Sequence, residues 1–120
     1  MSSMLPVSLT YAVNSLATTN GALVFAGTTR LAGVVINNAS AAAKFIRFYN
    51  KLTAPTVGTD VPVLVLTVPA SGSLILPATE GFVFPLGLGV AITGAAPATD
   101  STAVAAGDVQ LTVAYIPNVS

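Results

Sequence analysis

Residues 109–116 read VQLTVAYI, and their alternation decides the fold class. Val109, Leu111, Val113 and Tyr115 share one face of an extended chain; Gln110, Thr112 and Ala114 share the other. Successive side chains of a strand point to opposite faces, so the pattern predicts a strand with one dry face. The upstream segments are of the same kind. Residues 23–26 and 30–37 (RLAGVVIN) read as strands either side of the turn Gly27-Thr28-Thr29, and Asn37-Asn38-Ala39-Ser40 breaks the second. Residues 44–51 (KFIRFYNK) put Phe45, Arg47 and Tyr49 on one side and Lys44, Ile46, Phe48 and Asn50 on the other. Both sides mix apolar and polar members, so neither is simply solvated. Residues 61–68 (VPVLVLTV) are apolar on both faces, which predicts a central strand, with Pro62 marking an edge or bulge at its start. Residues 73–76 and 82–86 read as two strands separated by Pro77 and Gly81, and residues 88–93 as another.

Turn-rich segments separate these runs. Residues 53–60 contain Pro55 and Gly58, residues 69–72 read Pro-Ala-Ser-Gly, and residues 94–108 form a long loop of small residues. No window has a helical period. Short strands punctuated by turns predict an all-β chain, an antiparallel β-sandwich or a jelly-roll-like barrel. Residues 1–20 are uncharged and rich in Ser and Thr, and read as an N-terminal arm or an edge strand. Residues 21–120 read as a single β domain.

The composition excludes most chemistry. Among 120 residues there is no His, Cys or Trp. A His-based triad, a thiol nucleophile, a disulfide and a His/Cys metal or haem site are all impossible. Four Lys+Arg balance four Asp+Glu, so the basic footprint of a nucleic-acid binder is missing. Lys44, Arg47 and Lys51 do lie among Phe45, Phe48 and Tyr49, but three cations in a neutral chain grip phosphates weakly. Mean hydropathy is +0.83, high enough to suggest a membrane protein. Yet the long uncharged stretches are broken by Pro62, Pro69, Pro77, Pro85 and Pro97 and by several glycines, which a spanning helix does not tolerate. Residues 1–20 also lack the basic start of a secretory signal. The expectation is a compact domain that stays in the cytoplasm where it is made, or assembles there, with no membrane and no nucleic-acid partner.

Acid–base chemistry near neutrality is left to Asp60, Glu80, Asp100 and Asp108, with Lys44 and Lys51. Asp100 and Asp108 flank the long loop, either as a carboxylate pair or as turn residues bonded to their own backbone. Gly87-Leu88-Gly89 has neither the Lys nor the following helix of a phosphate loop. The expectation is no enzyme, no catalytic residue, no cofactor and no metal.

Charge scarcity then becomes the main clue. A folded monomer of this mass exposes on the order of 6,000 Å², and eight charges are too few to dress it in the usual way. Such chains stay soluble when partners cover them. Aromatic residues are enriched at interface cores, which makes Phe45, Phe48, Tyr49, Phe82 and Phe84 the candidate interface residues. The alternative for each is the protomer's own core.

Two stretches carry a resemblance: KFIRFYNKLTAPTVGTDVPVLVLTVPASG (residues 44–72) and GVAITGAAPATDSTAVAAGDVQLTVAYI (residues 89–116). They resemble small structural proteins of tailed-phage virions, which pair a strand ending in YNK, a TAPTVGTD linker and a late AITG…D…TAVAAGDV segment. The resemblance covers roughly half of the chain. It implies an all-β fold and the role of a capsid cement (decoration) protein. Such a protein binds the major capsid protein across seams of the outer shell, as a homo-oligomer. A trimer is preferred, because capsids offer three-fold sites and closed rings are common. It also implies assembly in the host cytoplasm and a final place on the virion surface. The competing roles are a tail, neck or fibre-associated protein and a carbohydrate-binding β-sandwich module.

Overall fold

The computed structural model describes residues 8–118, and of residues 78–80 the backbone alone. Eight strands follow one another: β1 (Leu9–Asn14), β2 (Ala22–Ala26), β3 (Thr29–Asn38), β4 (Lys44–Asn50), β5 (Leu64–Val68), β6 (Ser73–Phe84), β7 (Gly87–Thr93) and β8 (Val109–Pro117). They form two four-stranded antiparallel sheets with orders β1-β8-β3-β6 and β2-β7-β4-β5. We call them sheets A and B.

The pairs β1·β8, β2·β7, β3·β6 and β4·β5 are all hydrogen-bonded. The chain is therefore one long nested hairpin whose successive pairs fall alternately into the two sheets. The pairs β3·β8 and β4·β7 close the sheets. This is the eight-stranded jelly roll, which narrows the expected sandwich or barrel to a two-sheet sandwich.

The core lies between the sheets and is built at period two. Sheet A contributes Leu31, Val34, Ile36, Phe84, Val109, Leu111 and Val113; sheet B contributes Ile46, Phe48, Val68, Leu88, Val90 and Ile92. Each such side chain contributes roughly 1.5–3 kcal/mol by leaving water. Leu31 and Val34 are three residues apart and both buried, which strict alternation forbids. A register shift between Leu31 and Gly33, seen against both neighbouring strands, inserts the extra residue that brings both inward. Gly81 sits opposite this bulge in the left-handed region (φ 75°), where a Cβ would strike the Leu31 carbonyl oxygen.

Two expectations need correction. Residues 61–68 are not a central strand. The ladder begins only at Leu64, and β5 is the edge of sheet B. Pro62 stays outside it, as a residue without an N–H should. The apolar outer side chains Val61, Val63 and Val65 face solvent instead of a second layer. Residues 73–76 and 82–86 are not separate strands, because β6 runs through Pro77 and Gly81. Both are tolerated because β6 is itself an edge, with one unpaired side. Leu9–Asn14 forms the opposite edge of sheet A; residues 1–7 of the expected arm lie outside the described residues.

Candidate interaction surface

The charged residues explain how the outer side of sheet B is covered. On β4 the outward Arg47 is completely buried (0 %) and Tyr49 nearly so (1 %). Two loops lie over them. The first, residues 51–63, lays buried Pro55 against Gly89 beside Tyr49. The second, residues 94–104, folds back so that Gly94 N–H donates to Thr102 O at 3.0 Å. The loops meet where Gly58 packs on Ser101. Arg47 holds the second loop: Nε donates to Thr93 Oγ1 at 2.8 Å, and Nη2 donates to the carbonyls of Ala95 and Ala96 at 2.6 and 3.2 Å. Its Nη1 and the Tyr49 hydroxyl are buried with no hydrogen-bond partner among the described residues.

The other charges act in the same way. Lys51 Nζ donates to Asp60 Oδ2 at 2.6 Å, and that carboxylate also accepts the Thr56 N–H at 2.7 Å, closing the first loop. The Lys51 bond, the Thr56 amide and the Lys51 charge hold Asp60 below the usual carboxylate range against a smaller desolvation. Asp100 accepts the N–H groups of Ala95 and Thr102 and the Thr102 hydroxyl. Desolvation alone would raise Asp100, but those bonds and the Arg47 charge together bring it below the usual range. Asp108 accepts the Ala105 N–H at 2.9 Å and pairs with Lys44 at 3.7 Å. Asp100 and Asp108 are thus loop-closing acceptors, the turn role rather than the paired one. Lys44, Arg47, Lys51, Asp60, Asp100 and Asp108 thus all staple loops or strand ends.

The outer side of sheet A carries no such cover among the described residues. Register aligns its outward residues in rows across the four strands. Asn14, Gln110, Asn37 and Ser73 form the first; Ala12, Thr112, Val35 and Ile75 the second; Thr10, Ala114, Gly33 and Pro77 the third. All twelve are uncharged, and all but Gly33 and Ala114 are exposed. Val35 (42 %) and Ile75 (66 %) stand side by side as the apolar centre. Ala12, Ala114 and Gly33 keep the side chains around them short. Arg30 lies at its margin between Ile116 and Val83. An uncharged patch with an apolar centre and an amide-hydroxyl border suits contact with another protein surface.

The aromatic candidates divide. Phe48 and Phe84 are core residues between the sheets, and Tyr49 lies under Pro55. These three are buried inside the protomer. Phe45 is half-buried on β4. Phe82 alone of the five is exposed, beside Val83 on β6. Sequence reasoning missed the face of sheet A because its members are small or polar. Their only signal is the outward half of the alternations in residues 30–37 and 109–116.

Among the described residues no helix is long and apolar enough to cross a membrane, and no group of three or more His, Cys, Asp or Glu residues could hold a metal ion. No family model, curated protein or solved structure matches this chain.

Proposed function

We propose that this chain is a structural virion protein: a capsid cement protein that binds the outer shell across seams between major capsid subunits and stabilises the head. The observation that carries the reading is the patch of twelve aligned, uncharged residues on the outer side of sheet A, with Val35 and Ile75 at its centre and Arg30 at its margin. Such a patch gains by burial and has no charge to desolvate, so contact with a complementary shell surface is favourable over its whole extent. The stapling of loops by buried and half-buried charges supports the same reading. A cement acts mechanically, and a rigid two-sheet unit transmits load between the subunits it bridges. The jelly roll is used by viral capsid domains as well as lectins, which supports the reading by analogy alone. The work is done on the virion surface after assembly in the host cytoplasm, with the major capsid protein as partner. The test is to add the purified chain to heads that lack it and measure bound copies and the temperature at which heads rupture. Binding with a raised rupture temperature is expected; no binding, or binding that leaves rupture unchanged, overturns the proposal.

A further inference from the structure

Among the described residues the β5 edge of sheet B is unguarded. Edge strands expose unpaired N–H and C=O groups, and proteins normally protect them with charges, prolines or bulges. The β6 edge has Pro77 and the Gly81 bulge. The five-residue β5 has neither, and residues 61–79 contain no charged residue at all. Beside its free backbone runs a row of valines at period two: Val61 (74 % exposed), Val63 (63 %) and Val65 (39 %). On the inner side Leu64 and Leu66 pack on the core but remain partly exposed, as the last residues of an open sheet edge.

We infer that β5 pairs antiparallel with the β5 of a second copy about a two-fold axis, joining the two B sheets into one of eight strands. The strand is self-complementary in that arrangement. Centring the axis on Leu66 sets Leu66 against its own copy, Leu64 against Val68 and Val65 against Thr67. Every cross-strand pair is then aliphatic or β-branched, and the half-buried leucines are completed by their equivalents. The chain has no net charge, so two copies approach without repulsion. An isologous contact closes on itself and stops at two. It replaces the three-fold arrangement expected from capsid geometry, and it stands or falls independently of shell binding.

The test is sedimentation equilibrium of the full chain over a wide concentration range, without capsids, beside Val65→Lys and Ile75→Glu. The wild type is expected to reach the mass of two copies. Val65→Lys supplies the edge charge that opposes strand addition, twice over in a symmetric pair, and is expected to raise the dimer dissociation constant at least about tenfold, with an unchanged β-sheet circular dichroism spectrum. Ile75→Glu, on the other sheet, is expected to dimerise like the wild type. A monomeric wild type, a three-copy mass, or a Val65→Lys dimer as tight as the wild type overturns the inference. Loss of shell binding by Ile75→Glu bears only on the cement proposal.

Discussion

The Arg47 guanidinium, with no solvent exposure, donates through Nε to the hydroxyl of Thr93 on the neighbouring strand β7 at 2.8 Å. Its other bonds go to the carbonyls of Ala95 and Ala96, so a single side chain on β4 fixes the loop over sheet B. Arg47→Ala leaves those acceptors unmet and opens a cavity, and is expected to cost about 3 kcal/mol or more. Arg47→Lys recovers little, because a point charge does not reproduce the planar fork. Urea unfolding measures the loss. Hydrogen exchange at the Gly94 amide, which donates to Thr102 O, is expected to accelerate in both variants; unchanged exchange contradicts the anchoring role.

Tyr49 gives the opposite expectation. Its hydroxyl is buried without a partner among the described residues, and such a group carries a desolvation penalty that nothing offsets. Tyr49→Phe is therefore expected to be neutral or to stabilise by up to about 1 kcal/mol. A clear loss of stability in thermal or urea unfolding shows that the hydroxyl is satisfied in solution.

Gly87 opens β7 with no room for a side chain. A Cβ there would strike the carbonyl oxygens of Lys51 and Phe25, which belong to backbone and do not swing aside. Gly87→Ala is expected to lose about 1–3 kcal/mol by overpacking. Gly107→Ala meets nothing within 4 Å, but its left-handed φ of 78° still disfavours a side chain. It is expected to cost less, about 1 kcal/mol. Paired urea titrations decide the order.

The pH dependence follows from two carboxylates and two phenols. Asp60 and Asp100 lie below the ordinary carboxylate range when folded. Their contribution is complete above the unfolded value of about 4 and is lost as pH falls through the lowered folded values. The melting temperature is expected to hold from pH about 7 to 5 and drop below about 4. Asp100→Asn is expected to shrink that drop. Burial raises Tyr11 and, against the Arg47 charge, Tyr49. Their contribution is present below the unfolded value of about 10 and is lost as pH rises through the folded values. No His or Cys is present to add a step between. A midpoint that moves strongly between pH 5 and 8 contradicts this assignment.

Much of the fold was legible because its strands alternate. Val109, Leu111 and Val113 are buried as their spacing requires, with Tyr115 packed against the core, and β4 is buried on both sides at its middle, Ile46 and Phe48 on one and Arg47 and Tyr49 on the other. Alternation reports which residues share a face but not what covers it. Residues 61–68 looked central because both faces are apolar, yet their outer valines face solvent at an edge. Tyr49 is a contact candidate by sequence, yet two loops rich in Gly, Ala, Pro and Thr lie close enough to seal it and its neighbour Arg47. The candidate surface was least legible. Its twelve residues come from four strands, and only the register aligns them.

The face of sheet A separates binding from stability. Val35 and Ile75 are exposed, so Val35→Glu and Ile75→Glu are expected to change folding stability by no more than about 0.5 kcal/mol. Each places a charge at the centre of the proposed contact and is expected to reduce shell occupancy sharply. Counting bound copies on heads checks this; full occupancy by both variants removes sheet A from the contact.

Cement binding is tested most directly by an image reconstruction of virions that carry this chain. The eight-stranded sandwich is expected to repeat over the whole outer shell, with sheet A turned toward the seams between major capsid subunits. Density confined to a ring at the neck or tail, or none on the particle, would contradict the proposal.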